Sequence, residues 1–162
     1  MSSTRPLANG FIIWLSVALG LMLNIMPLPL WAENYRPEWV LLFLLVWAFE
    51  TPHQLGVGTA FIAGILQSIV QDSTLGIASL AMMVPLFFAY RMSPRSAQFP
   101  LWQLAALVAL LLALYELLSF WLTGFIGEPQ SLRRLAASTL SGACIWPLLY
   151  FIARDLRARI GR

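Results

Sequence analysis

The sequence predicts an all-α, polytopic membrane protein with six transmembrane helices. Of its 162 residues, 60% are hydrophobic and only 10% are charged, whereas soluble globular domains carry roughly 25% charged residues. Several apolar segments also reach or approach the ~20 residues that a helix needs to cross a bilayer. We therefore expect a single transmembrane helical domain over residues 1–162, in direct contact with the lipid bilayer.

The first apolar segment predicts a helix from about Phe11 to Leu30. Pro27 and Pro29 lie near its end and predict an irregular last turn, because proline lacks the backbone N–H that a regular helix uses. The sequence Leu30-Trp31-Ala32 lacks the small-x-small pattern of a signal-peptide cleavage site. We interpret the segment as an uncleaved membrane helix.

The second helix is predicted from about Glu38 to Thr51, directly after Arg36-Pro37, because proline suits the first turn of a helix. At about 1.5 Å per residue it is only ~20 Å long, which is shorter than the ~30 Å hydrocarbon core. It is either a short spanning helix that its neighbours bury, which we favour, or a re-entrant segment.

The third helix, predicted from about Leu55 to Gln71, carries a small residue at every fourth position. We call these residues the small-residue strip: Gly56, Ala60, Gly64 and Ser68. Small residues let membrane helices approach closely, so the strip predicts a contact with a neighbouring helix or with a partner. A fourth helix, from about Leu75 to Tyr90, follows a very short turn and must run antiparallel to the third. Asp72, in that turn, is expected to cap the fourth helix.

A polar loop is predicted over residues 91–100, followed by helices from Leu101 to Leu122 and from Leu135 to Ala153. Six helices place both termini on the same side of the membrane. If that side is the cytoplasm, the arginines inside are Arg5, Arg91, Arg95, Arg154, Arg157, Arg159 and Arg162, and those outside are Arg36, Arg133 and Arg134. This excess of positive charge on the inner side predicts cytoplasmic termini.

Glu116 is an acidic residue that lies well inside the fifth predicted helix. Helical spacing places small and polar residues on its face: Ala106, Ala109, Ala113, Ser119 and Thr123. We expect this face to point into the helix bundle. An ionisable residue within a membrane helix suggests a functional site. The alternative is a neutral or hydrogen-bonded Glu116 that fixes helix packing.

The sequence offers little support for catalysis. It contains one histidine, His53, and one cysteine, Cys144, so neither a metal site nor a Cys–His pair is indicated. We interpret His53, beside Glu50 in a polar turn, as a solvated interfacial residue. Phosphate-binding loops and nucleophile elbows are absent from the sequence, and the arginines do not form a basic face for nucleic acid. We expect no enzyme activity, cofactor, metal or nucleic-acid partner.

Several short motifs between Arg36 and Met92 follow one another in a specific order. They are Arg36-Pro37-x-Trp39 before an apolar helix, Pro52-His53 before Gly56-x-Gly58, and, after Gly64, Ser73-Thr74-Leu75-Gly76. In these motifs, and in length and helix layout, the chain resembles the family of the rod shape-determining protein MreD. It departs from that family at Ser68, where an aspartate is usual, and carries an acid one helical turn later, at Asp72.

The resemblance implies a component of the bacterial inner membrane that is needed for rod shape and lateral peptidoglycan synthesis. It also implies several partners, namely MreC, MreB, and RodA with its penicillin-binding transpeptidase. The implied fold resembles the substrate-binding subunits of vitamin transporters, which have six membrane helices. Together with the residue patterns, it suggests these candidates for partner binding or packing: Arg36, Pro37, Trp39, Pro52, His53, Gly56, Gly58, Gly64, Ser68, Asp72, Gly76 and Glu116.

Two functions are compatible with these observations. The first, favoured by the resemblance, is a non-enzymatic membrane scaffold that binds MreC and links it to the other partners. The second is a small-molecule-binding subunit of a membrane transporter. A transport pocket requires polar groups that converge near the outer half of the bundle. The candidates for such a pocket are Asn24, Glu116, Ser119, Thr139 and Ser141.

Overall fold

The fold was described from a computed structural model, which covers residues 5–51, 55–96, 98–127 and 131–160. Within these ranges the chain forms six α-helices and one short 3-10 helix, Glu33–Tyr35. The α-helices are α1 (Arg5–Ile25), α2 (Trp39–Glu50), α3 (Val57–Val70), α4 (Ile77–Ser96), α5 (Leu101–Ile126) and α6 (Leu132–Ile160).

The all-helical fold is confirmed, and three of the helices in the described ranges are long and apolar enough to cross a membrane. These segments are Ile77–Arg95, Leu101–Ile126 and Leu132–Leu156. The crossing of all six helices and the likeness to vitamin-transporter subunits stay predictions.

Several helix boundaries differ from the predicted ones. α1 ends at Ile25, five residues before the predicted end, because the chain leaves the helix at Pro27 and Pro29. The predicted polar loop over residues 91–100 is wrong, since α4 continues through Pro94 to Ser96. α6 likewise extends beyond its apolar segment at both ends. Apolar runs indicate only the part of a helix that lies in lipid, whereas exposed arginines continue the same helix into water.

α2 lies at the centre of the bundle, where its neighbours bury it almost completely. α1, α3, α4 and α6 all pack against it, and every residue from Val40 to Phe49 except Phe43 is buried. A helix that is apolar on all sides is expected to be surrounded by other helices. This burial by neighbours agrees with the expectation for a helix shorter than the bilayer.

α3 and α4 form a closely packed antiparallel hairpin, as the short turn predicts. A Cβ atom added at Gly64 would overlap the Cα atom of Ser79, so the two backbones are in direct contact. Ala60 and Ser68, one turn away on either side, are also buried. The Ser68 hydroxyl donates to the Gly64 carbonyl over 3.0 Å. From Ala60 to Ser68 the small-residue strip is therefore an internal packing surface.

Candidate functional site

Arg36 closes the end of α1 at the side of the bundle that is predicted to face outward. Its Nη1 atom donates to the Asn24 carbonyl over 2.5 Å, and its Nη2 atom donates to the Met26 carbonyl over 2.7 Å. The last carbonyls of a helix have no partner within the helix, and here Pro27 and Pro29 cannot supply N–H donors. Arg36 therefore has a structural partner inside the chain.

Glu38 lies directly before α2 and contacts α3. The Nε2 atom of Gln67 donates to Glu38 Oε2 over 2.7 Å. Burial raises the pKa of the Glu38 carboxyl, while the hydrogen bond from Gln67 and the charges of Arg134 and Arg36 act in the opposite direction. The sequence identifies Glu38 only as the residue at the start of a helix. In the structure it belongs to a polar cluster with Gln67.

A polar cavity of about 120 Å³ lies at this same end of the bundle. Five of the six helices or their adjoining turns contribute to it, and most of its side chains carry hydroxyl, amide or charged groups. The lining residues are Glu38, Gln71, Ser73, Thr74, Ile77, Ala78, Tyr115, Glu116, Ser119, Thr123 and Arg134. We refer to it below as the polar cavity.

Glu116 points into the bundle, as predicted, and is only 7% exposed. Ser119 and Thr123, which follow it on the same face, are buried and line the polar cavity as well. The prediction for the preceding alanines is wrong, because Ala106 and Ala113 are exposed. Larger apolar side chains occupy the buried face in that half of α5, which packs against α4 and α6.

An apolar groove of about 640 Å³ lies between α1 and α6, with α2 as its floor. We call it the α1–α6 groove, and its lining residues are Ile12, Leu15, Ser16, Ala18, Leu19, Met22, Phe43, Val46, Trp47, Leu149, Ile152, Ala153 and Leu156. Trp47 Nε1 donates to Ser16 Oγ over 2.9 Å, and that hydroxyl donates to the Ile13 carbonyl over 2.7 Å. Its few polar groups are therefore paired internally, and the groove presents an apolar surface.

Comparison with known proteins agrees with the motifs and the helical layout. A family profile described as rod shape-determining protein MreD matches residues 6–156. The chain belongs to the MreD family. The rod shape-determining protein MreD of Haemophilus influenzae is 22% identical over 157 residues, which cover 97% of each chain. No solved structure matches the chain. Membership of the MreD family supports a role in rod-shape determination.

The MreD-family motifs at the start of α2 and α3 have different environments. Pro37 is buried and Trp39 is half-buried against the core. Gly56 and Gly58, at the start of α3, are exposed. Pro52 and His53 lie outside the described residues. The end of the small-residue strip at Gly56 is thus the part that is not covered by α4.

The α3–α4 turn adopts two left-handed backbone conformations, at Asp72 with φ 49° and at Gly76 with φ 95°. Glycine is favoured at such a position because it has no Cβ atom. The predicted capping role of Asp72 is wrong, since α4 begins only at Ile77 and the Asp72 side chain is exposed. The Ser73 hydroxyl instead donates to the carbonyl of Ser68 over 3.5 Å.

The pocket residues predicted from the sequence are only partly correct. Glu116 and Ser119 line the polar cavity, whereas Asn24, Thr139 and Ser141 do not. Sequence reasoning did not assign Glu38, Tyr115 or Arg134 to the site. Tyr115 directly precedes Glu116, and this position could have suggested that it lies near the site. A single sequence does not indicate that the starts of α2 and α6 meet.

Proposed function

We propose that the chain is a non-enzymatic scaffold in the bacterial inner membrane that binds MreC through the α1–α6 groove. Through MreC it links to MreB and to RodA with its penicillin-binding transpeptidase, and so supports lateral peptidoglycan synthesis. In this arrangement all six helices cross the membrane and both termini are cytoplasmic. The α1–α6 groove is the observation that supports the proposal most directly.

The α1–α6 groove fits a helix better than a polar ligand. Residues from three helices line it, and its surface is almost entirely apolar because Trp47 donates to Ser16 and the Ser16 hydroxyl donates to the Ile13 carbonyl. Membrane helices associate by close van der Waals packing, and small residues permit that approach. Ala18 and Ala153 place two small side chains on opposite walls of the groove. A single membrane-spanning helix, as in MreC, is an occupant of suitable chemistry and shape.

The groove also replaces the docking surface that the sequence suggested. The small-residue strip was expected to contribute to partner binding, but α4 packs directly against Gly64, and Ala60 and Ser68 are buried inside the chain. Gly56 and Gly58 remain exposed at the start of α3. We therefore assign the main contact with MreC to α1, α2 and α6.

The substitution Ala18→Trp tests this proposal by filling the groove. Ala18 is exposed and lines the groove, so a larger side chain occupies the space of a partner helix without entering the core. We expect the variant to remain in the membrane at normal abundance, to lose co-purification with MreC in mild detergent, and to give rounded cells.

Ala106→Trp is the matched control. Ala106 is exposed on α5 and does not line the groove, so the same change of side chain should leave MreC binding and cell shape unaffected. Normal MreC co-purification with Ala18→Trp at normal abundance would refute the assignment to this groove.

A further inference from the structure

The polar cavity contains more hydrogen-bond acceptors than the chain satisfies. The carboxylates of Glu38 and Glu116 both face it. Ser119 and Gln67 are only 6% and 1% exposed. Among the described residues, neither Ser119 Oγ nor Gln67 Oε1 has a hydrogen bond of ordinary geometry, although the Tyr115 hydroxyl lies beside both. Buried polar groups are normally hydrogen-bonded, and one O–H group donates to one acceptor at a time, so these atoms suggest a missing donor.

The charges that line the cavity also favour a bound hydrogen-bond donor. Two carboxylates face it, whereas Arg134 is its one basic lining residue in the described part of the chain. Arg134 is exposed, and it attracts both carboxylates from the mouth without forming an ion pair with either within the described residues. The interior of the cavity therefore favours a positively charged donor.

We propose that the polar cavity binds an ammonium or guanidinium group. Both groups offer several N–H donors and no acceptor, which complements the carboxylates and the unpaired Ser119 hydroxyl. Hydrogen bonds between such cations and carboxylates are charge-assisted and comparatively strong. The volume of about 120 Å³ accommodates a group of this size together with water.

A metal ion fits the cavity less well. Among the described residues, no group of three or more His, Cys, Asp or Glu side chains is placed to hold one. Calcium and magnesium normally take six or more oxygen ligands, with carboxylates prominent among them. Two carboxylates at the start of α2 and in the middle of α5 are better suited to an organic cation that carries its own N–H donors.

Calorimetric titration of the purified protein tests the proposal directly. The probes are methylguanidinium chloride and n-propylammonium chloride, with tetramethylammonium chloride as a cation that has no N–H donor. We expect saturable binding of one or both of the first two probes, at one site per chain, and none of the third. Equal heats for all three cations, or no saturable binding, would refute the proposal.

Substitutions locate the bound cation within the molecule. Glu116→Gln keeps the shape of the side chain and removes its charge, and we expect it to weaken binding by about tenfold or more, as for a lost hydrogen bond to a charged group. Glu33→Gln is the matched control, because Glu33 is exposed at the same end of the bundle and does not line the cavity. Equal affinities of the two variants would place binding outside the cavity.

Ser119→Ala provides an independent test if Glu116→Gln gives too little folded protein. It removes the hydroxyl without a partner and leaves both carboxylates in place. We expect weaker binding of methylguanidinium, with an unchanged melting temperature of the free protein. Unchanged affinity would contradict the role of this hydroxyl and with it the proposed site.

Two further measurements distinguish the sources of the cation in cells. Mass spectrometry of material released from the purified protein identifies a small amine, whereas a photo-crosslinking residue at Thr74, which is exposed at the cavity, captures a partner whose Lys or Arg enters it. The site is separate from the α1–α6 groove, so Ala18→Trp should retain cation binding. Loss of MreC binding and loss of cation binding can thus be distinguished.

Discussion

The Arg36 side chain supplies the hydrogen-bond donors that two prolines lack at the end of α1. α1 ends with carbonyls that Pro27 and Pro29 cannot satisfy, and the Arg36 guanidinium donates to those of Asn24 and Met26. A cation at a helix C-terminus also interacts favourably with the helix dipole. The arginine at the start of this motif thus has a local structural role.

The first prediction concerns Arg36→Gln. It removes two charge-assisted hydrogen bonds, and because Arg36 is half-buried we expect a loss of about 1.5 kcal/mol of unfolding free energy, at the lower end of the usual range. Thermal unfolding of the purified protein in detergent measures this loss. Arg133→Gln is the control, since Arg133 is exposed at the start of α6. An equal decrease in both variants would contradict the structural role.

The elements were predicted with unequal success, and the reasons are physical. Apolar runs indicate that helices exist, so all six were predicted. The end of α4 was predicted too early, because Arg91 and Arg95 interrupt the apolar run while the helix continues. Four-residue spacing revealed the small-residue strip. It did not show that α4 covers the strip, because spacing identifies a face and not its neighbour. The inward position of Glu116 followed from Ser119 and Thr123 on the same face.

The second prediction tests the packing of α3 against α4. Gly64→Ala places a Cβ atom in overlap with the backbone of Ser79, which cannot move without separating the helices. We expect a loss of about 1–3 kcal/mol, as for other overpacked interiors. Gly58→Ala, in the same helix, meets no atom of the described residues within 4 Å and should be neutral or slightly stabilising. Comparable melting temperatures of the two variants would refute the close contact.

At the scale of the whole molecule, the polar cavity and the α1–α6 groove are two separate surfaces among those that the described residues leave open to other molecules. The polar cavity lies where the loops predicted to be external meet, and the α1–α6 groove extends along the opposite half of the bundle. Neither was predictable in full, since each combines residues from helices that are distant in the sequence. The groove carries the scaffold proposal because it offers apolar surface on three helices with their polar groups already paired.

Site-specific photo-crosslinking in growing cells tests the scaffold proposal most directly. A photoreactive amino acid replaces Leu19, which lines the groove, or Leu110, which is exposed on α5 away from it. We predict that the Leu19 position yields a crosslink to MreC and that the Leu110 position does not. A crosslink to MreC at Leu110, with none at Leu19, would contradict the account.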